Sequence, residues 1–138
     1  MNDKNVISGL NFHHVGLLVH NMGSAIEHYS QLFGKNSISN IITVSSQKVQ
    51  VCFVQISDAN YIELVEPLGE ESPVCNLLKK SVSYYHMAYK VNDIHAMARR
   101  LEQLNYKVLD YFNSEAFASK PCMFVFTPDA HLIELIEQ

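Results

Sequence analysis

Two rhythms of apolar and polar positions alternate along this chain, and their order occurs twice. In 12-FHHVGLLV-19 the residues alternate as in a strand. Met22, Ala25, Ile26, Tyr29, Leu32 and Phe33 then recur at three- and four-residue spacing, as in a helix with one apolar stripe. The segment 84-YYHMAYKV-91 restarts the strand rhythm, and Ile94, Met97, Ala98, Leu101 and Leu104 restart the helical one. Superposing 12–33 on 84–105 sets His14 over His86, Gly16 over Ala88 and Met22 over Ile94, all at an offset of 72. Asp93 suits the start of the second helix and Gly34 the end of the first.

Three further strands are expected in each half, over about 38–45, 49–56 and 60–66, and over about 107–112, 121–127 and 131–137. The last of each triplet is the most telling. In 60-NYIELVEP-67 and 131-HLIELIEQ-138, an offset of 71 sets Glu63 over Glu134, each a carboxylate inside an apolar run. Between the halves, 67-PLGEESPVCNLLKKS-81 reads as a turn and a short helix beginning near Pro73. The pattern predicts an α+β fold of paired βαβββ modules: a curved mixed-sheet trough with helices on its outer face. A single domain over 1–138 is expected, with a first module over about 10–66, a linker over 67–81 and a second module over about 82–138.

Strand alternation makes parity informative. His14 shares a face with Phe12, Gly16 and Leu18, whereas strict alternation points His13 the other way; Tyr84, His86 and Ala88 share a face in the twin strand. The small residue two positions after each histidine leaves room beside an imidazole. Glu63 shares its face with Tyr61 and Val65, and Glu134 with Leu132 and Ile136. Glu66 and Glu137 have the opposite parity near strand ends and are expected to be solvated. His14, Glu63, His86 and Glu134 can therefore meet on the open face. A buried carboxylate needs a partner, and two imidazoles with two carboxylates suit a divalent metal with positions left for substrate. Tyr61, Tyr84 and Phe12 are candidates to line the trough. His20 and His131 at strand ends, and His28 and His95 off the apolar stripes, carry no such pattern.

Composition narrows the classes. A chain of 138 residues, 48% apolar and 17% charged, can bury a core and is not a disordered segment. A net charge of −4 and scattered lysines and arginines argue against nucleic acid or an anionic membrane as partner. MNDKNVISG shows no basic-then-apolar leader, and no apolar run approaches the roughly 20 residues that span a bilayer. Cys52, Cys75 and Cys122 form no CxxC pair and read as free thiols. A cytoplasmic protein is expected.

On 13-HHVGLLV-19, 62-IELVEPLGEESPV-74, 85-YHMAYKVNDI-94 and 132-LIELIE-137, the chain resembles the vicinal oxygen chelate (glyoxalase/bleomycin resistance/dioxygenase) superfamily, and within it the methylmalonyl-CoA epimerases. The resemblance implies a divalent metal (Co, Ni, Mn or Zn) on His14, Glu63, His86 and Glu134, the set the repeat selects. It also implies proton abstraction beside a metal-polarised carbonyl of an acyl-CoA-like substrate, with Glu134 as both ligand and base, and a homodimer. Where the epimerases carry a second acidic residue this chain has Ser46, and neither Ser45, Ser46 nor Gln47 is a carboxylate. Two other activities in the superfamily are a lactoylglutathione-lyase-like reaction on the same metal set and small-molecule binding without catalysis. For the former, the only arginines are Arg99 and Arg100 on the second helix.

Overall fold

A computed structural model describes residues 7–138; residues 1–6 of the stretch read above for a leader lie outside the described residues. The first module runs β1 (Asn11–Leu18), α1 (Met22–Phe33), β2 (Ile42–Val44), β3 (Val49–Gln55) and β4 (Tyr61–Pro67). A linker helix, α2 (Cys75–Lys79), leads to β5 (Tyr84–Val91), α3 (Ile94–Gln103), β6 (Lys107–Ser114), β7 (Lys120–Phe126) and β8 (Leu132–Glu137). The eight strands form one mixed sheet in the order β2-β3-β4-β1-β5-β8-β7-β6. Only β1·β4 and β5·β8 are parallel, and the antiparallel β1·β5 pair joins the two modules.

The apolar stripes do what their spacing predicts. Met22 and Ala25 of α1 pack on Cys52, Val54 and Leu64, while Ile94, Ala98 and Leu101 of α3 pack on Met123, Val125 and Leu135. Asn21 and Asp93 cap these helices by accepting from the Ser24 and Ala96 amides at 2.9 and 3.0 Å. Gly34, at φ 88°, ends α1 in a conformation that favours glycine. The linker helix enters the trough itself: Val74 and Leu78 pack on Leu18, Val49, Val51 and Val65.

Four expectations need correction. The strand expected over 38–45 shrinks to Ile42–Val44, with only an isolated bridge at Ile38. The cause is Ser39, whose hydroxyl accepts from the Phe53 amide at 2.8 Å and competes with strand pairing. Glu66 and Glu137 are not free in solvent. They accept from the Met22 and Ile94 amides at 2.9 and 3.2 Å, placing a carboxylate at each helix's positive end. Gln50 also donates to Glu66.

Third, His13 does not point away from the trough. Pairing of β1 with β5 skips His13 between Phe12 and His14, and skips Tyr85 where Gly16↔His86 gives way to Leu17↔Tyr84. Each strand carries one extra residue, a bulge that re-aims its side chain. His13 therefore lies among Phe53, Tyr61 and Phe117. Fourth, the same device brings Tyr85 into the trough in place of Tyr84, which stays exposed, as does Phe12.

Candidate metal centre

His14 and Glu63 come from the parallel β1·β4 pair, His86 and Glu134 from its twin β5·β8. All four are buried, from 0% exposed for His14 to 5% for the two glutamates. The His14 and His86 Nε2 atoms lie 3.1 Å apart. Each is 3.4 Å from Glu63 Oε1 and 3.3 Å from Glu134 Oε1. One donor atom from each residue falls within 4.8 Å of all the others. Separations of this size are what donors make when each sits about 2.0–2.2 Å from a shared centre. Glu134 Oε1, although close to both imidazoles, has no aligned hydrogen bond. The four donor atoms converge on one small volume. The residues fit a divalent cation.

Electrostatics agree. Burial alone would lower His14 and His86, but the nearby Glu63 and Glu134 carboxylates outweigh it, lifting His14 to about 9 and raising His86. Burial alone would raise the two carboxylates. The two imidazoles, 3.3–3.4 Å from the carboxylates, hold both below the usual carboxylate range. Without a cation, protons on the imidazoles balance the two carboxylates; a metal would displace them.

Neighbouring residues hold the donors in place. Gly16 lies directly under His86: a Cβ there would stand 2.7 Å from His86 Cε1 and 2.9 Å from Nε2. His13 Nδ1 lies 2.8 Å from His14 Nδ1. Burial first, then the neighbouring His14 charge, lowers His13 to about 4. A neutral His13 can accept a hydrogen bond from His14 Nδ1–H, which leaves the His14 Nε2 lone pair directed toward the centre. His86 has no such support; its Nδ1 is unpartnered among the described residues.

A small cavity of about 20 Å³ opens beside the cluster, lined by Glu63, His86 and Glu134 together with Val44, Gln47, Val49, Val51, Val65, Tyr85, Phe112, Ser114 and Phe124. Ser45–Gln47 and Glu115–Phe117 form short 3-10 turns, and Glu115 Oε2 accepts from the Ser45 amide at 3.0 Å, tying the two modules together. Ser46 is exposed in the first turn, where Gln47 rather than Ser46 lines the cavity. His20, His28, His95 and His131 are exposed and lie outside the cluster. Sequence reasoning missed Gln47, Tyr85 and Phe117; the repeat pairs Gln47 with Phe117 and Tyr85 with His13, which was the available signal.

The chain belongs to the Glyoxalase/Bleomycin resistance protein/Dioxygenase superfamily, whose family model matches residues 13–137. Its relatives include methylmalonyl-CoA epimerases. The mitochondrial methylmalonyl-CoA epimerase of Dictyostelium discoideum is 29% identical over 129 residues, covering 91% of this chain and 76% of that protein. The ethylmalonyl-CoA/methylmalonyl-CoA epimerase of Cereibacter sphaeroides is 30% identical over 127 residues, covering 88% and 93%. Among solved structures, methylmalonyl-CoA epimerase from Mycobacterium tuberculosis superposes with a TM-score of 0.80 at 26% identity, over 99% of this chain and 92% of that one. The fold also matches Streptomyces coelicolor methylmalonyl-CoA epimerase in complex with 2-nitronate-propionyl-CoA, at a TM-score of 0.83 and 24% identity over 95% and 99% of the chains. No helix among the described residues is long and apolar enough to cross a membrane.

Proposed function

We propose that this protein is a divalent-metal-dependent enzyme that removes the proton beside a carbonyl of a short acyl thioester of the methylmalonyl-CoA kind. The observation that carries this reading is the buried His14–Glu63–His86–Glu134 cluster, its donors converging beside an apolar-walled cavity. Similarity to the epimerases supports the substrate class.

A cation held by these four residues would supply Lewis-acid stabilisation of negative charge on a substrate carbonyl oxygen. Glu134 is the base. Its residue lines the cavity, so its carboxylate can reach an adjacent C–H and carry the proton. Glu63 supplies charge and stays in place on the central strand β4. His13 holds His14 in the tautomer that leaves Nε2 free. The valine and phenylalanine walls exclude water and strengthen each electrostatic contact. Among the described residues no arginine or lysine lines the cavity, so nothing there favours a glutathione conjugate over an acyl thioester.

The test is α-proton exchange of methylmalonyl-CoA in D₂O, followed by NMR with metal-loaded protein. Exchange is expected. Exchange without inversion fits a single base at Glu134, whereas no exchange in fully loaded protein refutes this substrate class.

A further inference from the structure

The internal repeat makes a second, unused site visible. Gln47 and Phe117 close the two 3-10 turns, and each is followed by a left-handed residue, Lys48 at φ 54° and Ala118 at φ 55°. They are twins. So are Tyr85 and His13, the two bulged residues, and so are Phe124 and Phe53, which pair with Glu134 and Glu63. A symmetric site would offer two equivalent approaches to the metal, one from each module.

Among the described residues, one of the two approaches is closed by rings and the other carries the cavity. On the first, Phe117 stacks on His14 with ring centres 5.9 Å apart and planes 12° from parallel. His13 and Phe53, each 5.5 Å from Phe117, complete a closed layer of rings. On the second, a glutamine replaces that phenylalanine, and the small cavity lies against it. Glu63, His86 and Glu134 open into it, and His14 does not.

The open side also carries two unused polar groups. Neither the Tyr85 hydroxyl nor the Gln47 amide makes a hydrogen bond to a described residue, and both line the cavity. Burial pushes the phenol well above its usual range, so it is a donor at neutral pH. The rest of the wall is valine and phenylalanine, apart from Ser114, whose hydroxyl already accepts from the Ala116 amide at 3.2 Å.

We propose that substrate reaches the metal only from the Gln47–Tyr85 side, where these two residues bind its oxygen atoms, and that Phe117 seals the twin approach. The ligand this selects is a short acyl group with a second oxygen function, carboxylate or carbonyl, on the carbon chain. The proposal rests on the metal-enzyme reading above, but sidedness is independent of which reaction follows.

The experiment uses full-length protein loaded with Mn²⁺ and reads water-proton relaxation before and during titration with malonate. Gln47→Phe, which copies the sealed side onto the open one, should cut the relaxation enhancement severalfold and weaken malonate binding by roughly tenfold or more. Phe117→Gln should open the second approach and raise the enhancement. Tyr85→Phe, nearly isosteric, should keep Mn²⁺ affinity and enhancement while weakening malonate by roughly tenfold. Native relaxation and malonate affinity in Gln47→Phe, a lowered enhancement in Phe117→Gln, or native malonate affinity in Tyr85→Phe would each overturn the proposal. Failure of methylmalonyl-CoA to exchange its proton, with these shifts intact, would overturn the substrate reading alone.

Discussion

Adding one methyl group at Gly16 should dismantle the proposed metal centre. Gly16 lies on β1 opposite His86, and its backbone φ is outside the left-handed region, so alanine fits the strand itself. The consequence is steric. The new Cβ would stand 2.7, 2.9 and 3.0 Å from His86 Cε1, Nε2 and Nδ1, where non-bonded atoms rest at about 3.5–4.0 Å. The ring must retreat by about 0.5–1 Å. It cannot do so freely, because Tyr85 stands 4.6 Å and Phe124 5.5 Å from it, centre to centre, and His86 is 1% exposed. Overpacking of this kind costs about 1–3 kcal/mol of stability. The effect on metal is larger, since donors must stay within about 0.2 Å of their bonding distance. Losing one of four donors is expected to weaken Co²⁺ or Zn²⁺ by at least about 100-fold, or about 3 kcal/mol. Competition against a chelating dye measures the affinity, and thermal unfolding with and without EDTA separates metal loss from strain. A Gly16→Ala protein that folds and binds metal like the native one would refute the packing of His86 over Gly16 and its place in the cluster.

Other outcomes follow from the same geometry. Glu134→Gln should abolish turnover while weakening metal less than His86→Ala does; equal losses in metal affinity would remove the dual role assigned to Glu134. Metal affinity should rise with pH toward about 9, because His14 stays protonated up to there in the metal-free protein; a flat profile between pH 6 and 9 contradicts this. The same shift stabilises the metal-free fold on the order of 3 kcal/mol below pH 6.5, a contribution lost as pH climbs through about 9. Urea titrations at pH 7 and 9.5 measure it, and loaded protein should show a smaller difference. Replacing Glu66 or Glu137 with alanine should cost about 1–2 kcal/mol by removing a charged acceptor from a helix start. Unchanged denaturation midpoints would make those contacts incidental.

The repeat made the fold and the four-residue cluster legible, because duplicated histidines and glutamates at offsets of 72 and 71 stand out from their surroundings. Burial of Glu63 and Glu134 then demanded a partner that apolar flanks could not supply. Bulges left no such trace. An extra residue in β1 or β5 changes neither composition nor apparent alternation, so His13 was assigned the wrong face and Tyr85 was passed over. Glu66 and Glu137 were misjudged for a related reason. Parity sent them out of the trough correctly, yet the helix starts that accept them come from distant parts of the chain. Their own duplication in IELVE and IELIE was the overlooked clue. The sidedness of the cavity rests on Gln47 and Phe117, whose turns have no hydrophobic periodicity.

Everything functional here depends on four side chains forming one metal site. Titration of the metal-free protein with Co²⁺, read by its visible absorption and by metal analysis after dialysis, tests that most directly. The native protein should take up one equivalent, and His14→Ala, Glu63→Ala and His86→Ala should each lose it. A native protein that retains no divalent metal, or variants that retain it as well as the native does, would contradict the account.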